Sequence, residues 1–202
     1  MLGRKEWLCL FMRELTRVVF LLFYRMETEG EHHLPRERAF ILLPKHQCWQ
    51  DIPIITLATP RHLYYIAKHE LFQNPISNRF LKALGGIPLN RERPLESRNS
   101  IRAMIKFLEG GEGLVLFPEG TYYRNRMGPG KRGMVRLLVS RLSLPLIPAG
   151  ISYRRRGLRI LARISFGRPI LPDRETTPQE MLEAVMGEIA RLSGLGCTRP
   201  KA

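Results

Sequence analysis

From residue 39 to residue 193, short apolar runs alternate with segments of helical periodicity, and this alternation limits the possible fold more than any other feature of the chain. Uninterrupted apolar runs suit strands buried on both faces. Helices between such strands make the crossovers that a parallel sheet requires, so the pattern specifies βα units. Strands are expected at 39–43 (AFILL), 63–67 (LYYIA), 87–89 (IPL), 114–117 (LVLF), 146–151 (LIPAGI) and 158–166 (LRILARISF). Helices are expected at 52–58, 76–84, 95–109, 132–142 and 178–193, the last with Thr177 as cap, Pro178 at its first position and Glu180 in its opening turn. At 202 residues and 44% hydrophobic, with no repeat and no interior linker, the chain has material for one core. The expected fold class is therefore α/β: a single domain over residues 39–202, with a mainly parallel mixed sheet flanked by helices.

Residues 1–38 form a separate N-terminal segment in this reading. The stretch RKEWLCLFMRELTRVVFLLFYRM is the most apolar near either terminus, yet Arg13, Glu14 and Arg17 interrupt it. No uncharged run approaches the ~20 residues that a bilayer crossing requires. The broken apolar region, with no small-residue cleavage site after it, also argues against a signal peptide. On a helix, Arg13, Glu14, Thr16, Arg17 and Arg25 fall on one half, while Leu8, Phe11, Met12, Leu15, Val18, Val19 and Leu22 fall on the other. Leu10, Phe20, Leu21 and Tyr24 intrude on the polar half. The expected reading is an amphipathic, membrane-associating helix at a membrane interface, and the alternative is a helix packed on its own domain.

Charge narrows the partners. Lys and Arg number 33 against 18 Asp and Glu, a net charge of +15, which calls for a polyanionic partner: anionic lipid, a phosphorylated substrate or nucleic acid. The charge is blocked. Tyr122 to Arg136 holds five basic residues and no acid, and Tyr153 to Arg168 holds six and no acid. These blocks read as an anion-facing rim. Three widely spaced cysteines, Cys9, Cys48 and Cys197, give neither a disulfide framework nor a paired zinc signature, which implies a reducing compartment.

Chemistry concentrates in KHQCWQD, residues 45–51, between the run AFILL and Ile52-Pro53. His46 and Asp51 are five apart, about 140° off a common face on a continuous helix, so only a turn can pair them. A strand ending near Leu43 and a helix starting at Asp51, with Asp51 as cap, would supply that turn. An imidazole held at Nδ1–H by a carboxylate presents Nε2 as a general base toward an alcohol. Cys48 offers a second chemistry, thiolate attack with His46 as base. Trp49 reads as packing or as an interfacial anchor.

Four ordered blocks over Ala39 to Tyr153 resemble the 1-acylglycerol-3-phosphate acyltransferase family of glycerolipid acyltransferases. His46 to Asp51 matches its H-x4-D, Gly86 to Arg91 its G-x4-R, Phe117 to Thr121 its FPEGT, and Leu144 to Ile151 its late block with two spaced prolines. Ala67 to Leu71 resembles its AKxEL stretch, and Lys131-Arg132-Gly133 sits where a basic residue and Gly open a helix. Tyr122 and Tyr123 depart from the pattern, which often has Arg or Ser after FPEGT, and Arg124 follows as a substitute. Pro145 and Pro148 are expected to stiffen an edge strand.

The resemblance implies acyl transfer from acyl-CoA or acyl-carrier protein to the sn-2 hydroxyl of 1-acylglycerol 3-phosphate (lysophosphatidic acid), giving phosphatidic acid. His46 would take the hydroxyl proton and Asp51 would hold His46, with no covalent intermediate, metal or further cofactor. Lys68, Gly86, Arg91, Glu119, Gly120, Thr121, Arg124 and Lys131 are the substrate-binding candidates. The expected location is peripheral, on the anionic cytoplasmic face of the membrane. Another acceptor, glycerol 3-phosphate or a lyso-ornithine lipid, would use the same base. A basic nucleic-acid-binding module fits the charge, but the chain has no recognition motif or aromatic–basic interleaving. A catalytically silent membrane-binding protein is the third alternative.

Overall fold

The expected strands hydrogen-bond into one sheet, with one more strand in front of them. They are β1 (Tyr24–Glu29), β2 (Phe40–Pro44), β3 (Tyr64–Lys68), β4 (Gly86–Leu89), β5 (Gly113–Val115), β6 (Leu146–Arg156) and β7 (Arg159–Phe166). Their order is β1-β7-β6-β2-β5-β3-β4, and every pairing is parallel except the β6–β7 hairpin. This computed structural model describes residues 3–90, 98–131, 133, 144–172 and 176–196. The helix expected at 132–142 therefore lies outside the described residues except at Gly133.

Helices cover both faces. On one side α4 (Arg98–Glu109) and α5 (Pro178–Ser193) contribute Met104, Leu108, Met181, Val185 and Ile189 to a core with Ile41, Leu43, Ile66 and Leu116. On the other, α1 (Glu6–Phe23) and α2 (Asp51–Ala58) contribute Phe20, Ile54, Ile55 and Ala58 against Phe40, Leu42, Val115 and Ile147. Strand β2 is buried along its whole length, because alternate residues serve different cores, hence the unbroken apolar run FILL. A further helix, α3 (Pro75–Ala83), is capped by Asn74, whose side chain accepts from Ile76 N–H. The capping expected for α5 forms as a reciprocal pair between Thr177 and Glu180.

Two expectations are corrected. Helix α1 stops at Phe23, so Tyr24 and Arg25, expected on the helix, instead begin the strand Tyr24–Glu29, which pairs in parallel with β7. The alternation in YRMETE is short and charged, as an edge strand is, so it carries little apolar signal. Second, Pro148 lies on β6 in the middle of the sheet, not on an edge. It is tolerated because it sits where the β6–β7 ladder ends: Gly167 N–H donates to Pro148 O, and only the reciprocal donor is missing. Helix α1 docks through part of its polar half. Arg13 donates to Thr59 O at 2.9 Å and Phe20 is buried, while Phe11, Leu15, Val18, Val19 and Leu22 are exposed. Tertiary packing thus leaves the apolar stripe of α1 uncovered. Among the described residues, no helix is long and apolar enough to cross a membrane.

Candidate active site

Parallel strands β2, β3, β4 and β5 all end at one edge of the sheet, the edge where open α/β sheets bind ligands. The loop leaving β2 carries His46 and turns into α2 at Asp51. His46 Nδ1 and Asp51 Oδ2 are 2.9 Å apart. A carboxylate only accepts, so Nδ1 carries a proton, and in the neutral ring Nε2 is the nitrogen with the free lone pair. Among the described residues Nε2 takes no hydrogen bond. The imidazole stacks on Phe117 (centroids 3.7 Å apart) and is flanked by Tyr122 at 4.3 Å, so it is almost wholly buried.

Asp51 does not cap α2 as expected. Gln50 occupies the cap position, and the Asp51 carboxylate instead faces back into its own loop. Oδ2 accepts from Gln47 N–H (2.6 Å) and Cys48 N–H (2.9 Å) in addition to His46, and Oδ1 accepts from the Tyr153 hydroxyl at 2.6 Å. Four donors around one fully buried carboxylate fix its orientation and, through it, the ring of His46. Burial, reinforced by the facing Asp51 charge, pushes the Tyr153 hydroxyl far above the ordinary phenol range, so it remains a donor.

Beneath His46 lies an ion pair that is wholly buried. Lys45 Nζ donates to Glu119 Oε1 and Oε2 (2.9 and 2.7 Å), His46 O (3.0 Å) and Tyr123 O (2.8 Å). Glu119 also accepts from His46 N–H (2.9 Å) and Gly128 N–H (2.6 Å). Desolvation pulls the Lys45 ammonium below its ordinary value, and the Glu119 carboxylate opposes that shift. The pair grips the His46 peptide from both sides and ties it to the loop after β5. Gln47 adds a second tie, donating to Ile151 O and accepting from Asn125 N–H.

The other candidates are placed unevenly. Glu119 was expected to face substrate, but it is fully buried with both oxygens occupied, so its place here is structural. Gly86 lies at the start of β4, away from the strand's C-terminal end, where an added Cβ would come within 2.8 Å of Leu81 O; its smallness serves packing against α3. Gly120 has φ +72° in the turn closed by its own N–H to Phe117 O, a conformation that favours glycine. Thr121, Arg124 and Lys131 are exposed on the loop beside His46, and Lys68 is exposed at the end of β3. Arg91 lies outside the described residues, two positions past the end of β4. Sequence reasoning missed Lys45, Gln47 and Tyr153. Lys45 and Gln47 stand within KHQCWQD, whereas Tyr153 reaches Asp51 from 102 residues away and nothing in its neighbours marks it.

The thiolate route fares worse than the imidazole. Burial and the Asp51 charge raise the Cys48 thiol above its ordinary value, and its Sγ points at Asp51 Oδ1, 3.7 Å away. Both favour S–H over thiolate. Cys48→Ser is therefore expected to keep near-wild-type turnover; an inactive variant, with an acyl-thioester trapped on the unmodified chain, would restore the cysteine route. Among the described residues no cluster of His, Cys, Asp and Glu could hold a metal ion.

A largely apolar cavity of about 230 Å³ adjoins this centre. It runs between α1, α2 and β3, with Ile52 and Pro53, the residues directly after Asp51, in its wall along with Met12, Tyr65, Ala67 and Phe72.

The chain is similar in sequence and fold to several known proteins. The 1-acyl-sn-glycerol-3-phosphate acyltransferase of Bacillus subtilis (strain 168) is 34% identical over 142 residues, covering 69% of this chain and 68% of that protein. The protein of the same name from Streptococcus pneumoniae is 28% identical over 193 residues, covering 89% and 70%. The lyso-ornithine lipid O-acyltransferase of Rhizobium meliloti is 30% identical over 118 residues, covering 58% and 38%. The fold matches the crystal structure of the 1-acyl-sn-glycerophosphate (LPA) acyltransferase from Thermotoga maritima with a TM-score of 0.74 at 23% identity, covering 92% of this chain and 78% of that one. Because the Acyltransferase family profile spans residues 25–152, from β1 into β6, this chain belongs to the acyltransferase family.

Proposed function

We propose that this acyltransferase moves an acyl chain from a thioester, acyl-CoA or acyl-carrier protein, to the sn-2 hydroxyl of 1-acyl-sn-glycerol 3-phosphate. The observation that carries the reading is the 2.9 Å contact between His46 and Asp51 at the sheet edge. His46 Nε2 takes the hydroxyl proton as the oxygen attacks the thioester carbonyl, and Asp51 stabilises the resulting imidazolium. The proton then passes to the leaving thiolate. The names of the similar proteins from B. subtilis and S. pneumoniae support this acceptor, and the apolar cavity beside Ile52 supports a long-chain substrate.

Exposed Lys68 and Arg124, with Arg91, are the cations that would take the acceptor phosphate and bring the hydroxyl to His46 in attack geometry. The exposed apolar face of α1 supports a peripheral position on an anionic lipid surface, with the apolar side chains among the acyl chains. The test is thiol release from both thioesters with lysophosphatidic acid, glycerol 3-phosphate and lyso-ornithine lipid as acceptors. Lysophosphatidic acid should be used best. Arg91→Ala should raise KM for that acceptor by about tenfold or more with little change in kcat, the loss of one charged phosphate contact. Preference for lyso-ornithine lipid, which carries no phosphate, would overturn the acceptor assignment while leaving the base in place.

A further inference from the structure

The β6–β7 hairpin ends in a two-residue turn, Gly157-Leu158, closed by the Arg156↔Arg159 pair. Gly157 has φ +63°, as the first central residue of a type II′ turn has, and this tight turn lets both strands run to the tip. The tip has an unusual surface. Leu158 is 100% exposed, and Arg154, Arg155, Arg156 and Arg159 are all exposed around it. Among the described residues no carboxylate pairs with any of these four arginines; the nearby Glu27 and Glu29 are engaged by Arg163 and, for Glu27, Arg25. A shallow depression lies on either side of Leu158, one rimmed by Arg25, Arg156 and Arg159, the other by Arg124, Arg154 and Arg155.

The sheet register decides what lies beside this tip. Tyr24 pairs with Ile160, so the last turn of α1, where Leu21, Leu22 and Phe23 are all exposed, abuts the hairpin. Strand β6 runs parallel to β2, which puts the tip at the same end of the sheet as His46. Arg124, Tyr153 and Ile160 are shared between the second of these depressions and a third, lined by Gln47 and Cys48. A basic, apolar-tipped hairpin is thus continuous with both the uncovered end of α1 and the loop that carries the base.

We propose that the β6–β7 hairpin is a second contact with anionic lipid. Leu158 enters the boundary between headgroups and acyl chains, and the surrounding guanidinium groups take lipid phosphates. The proposal rests on the reading that α1 lies on a lipid surface, and it adds an orientation. One interfacial helix leaves the domain free to rotate about the helix axis; a second contact at its end fixes that rotation and turns the His46 edge toward the lipid. An acidic protein would match the arginines alone. The exposed leucine and the adjoining apolar end of α1 match a bilayer, where charge and hydrocarbon meet in that order.

Sedimentation of the full chain with vesicles of equal parts phosphatidylglycerol and phosphatidylcholine tests this, with phosphatidylcholine vesicles as reference. Leu158→Asp and Arg155→Glu alter side chains exposed to solvent, so their unfolding midpoints should match the wild type. Each should lower partitioning onto the anionic vesicles about tenfold, and binding by the wild type should weaken as salt is raised. Turnover of a short-chain, monomeric acceptor should be unchanged in both. Undiminished partitioning of the variants would overturn the hairpin contact alone. Undiminished partitioning together with a raised KM for acyl-carrier protein would instead make the hairpin a protein dock. Failure of the wild type to bind anionic vesicles would remove the α1 reading as well. Absence of thiol release by the wild type would count against the acyl-transfer reading and leave the vesicle result standing.

Discussion

His46→Ala is expected to lower acyl transfer by about 10²–10⁴-fold, the usual range for removal of a general base, while leaving the far-ultraviolet circular dichroism unchanged. The loss should fall on kcat, because the imidazole acts on the proton in flight and not on the bound ground state. The structure gives the reason for the size of the effect. Asp51 is locked by Gln47 N–H, Cys48 N–H and the Tyr153 hydroxyl, and no other imidazole stands within this cluster to take over. Initial-rate measurement of thiol release under saturating acceptor checks it. Turnover within a few-fold of the wild type would end the general-base assignment.

Lys45→Met is expected to destabilise the chain by about 3–5 kcal/mol, because it leaves the Glu119 carboxylate buried without its counter-ion. Lys45 and Glu119 are each fully buried, so water cannot replace the lost partner. The double variant Lys45→Met, Glu119→Gln removes the stranded charge and should recover a large part of the loss, since a neutral amide still accepts one of the two backbone N–H groups. Denaturant unfolding of the two single variants and the double completes the cycle. A single Lys45→Met variant with wild-type stability would show that the pair is not what braces the His46 loop.

The fold class was legible because it depends on periodicity. Strand β2 and the first part of β6, residues 146–151, sit between neighbouring strands with both faces covered, so their sequences had to be continuous apolar runs. The capping of α5 was equally local, since Thr177 and Glu180 are three residues apart. Edge strand β1 lacked any such signal, as it is paired on one side only, with β7, more than 130 residues later in the chain. The face of α1 that meets the domain was not legible for a related reason. Helical periodicity assigns residues to faces but does not say which face meets the domain, and here Arg13 turns inward to Thr59 O.

The site divides along the same line. Spacing alone showed that His46 and Asp51 could meet only across a turn, and they do. It could not show that Glu119 would be consumed by Lys45 and the His46 N–H, 73 residues away, or that Tyr153 would reach Asp51 from β6. The sequence by itself determined the layered sheet and the imidazole with its carboxylate, because both are written in local pattern and short spacing. Only the tertiary structure decided which charged groups are spent inside the protein and which face outward, because burial is set by contacts between segments far apart in the chain.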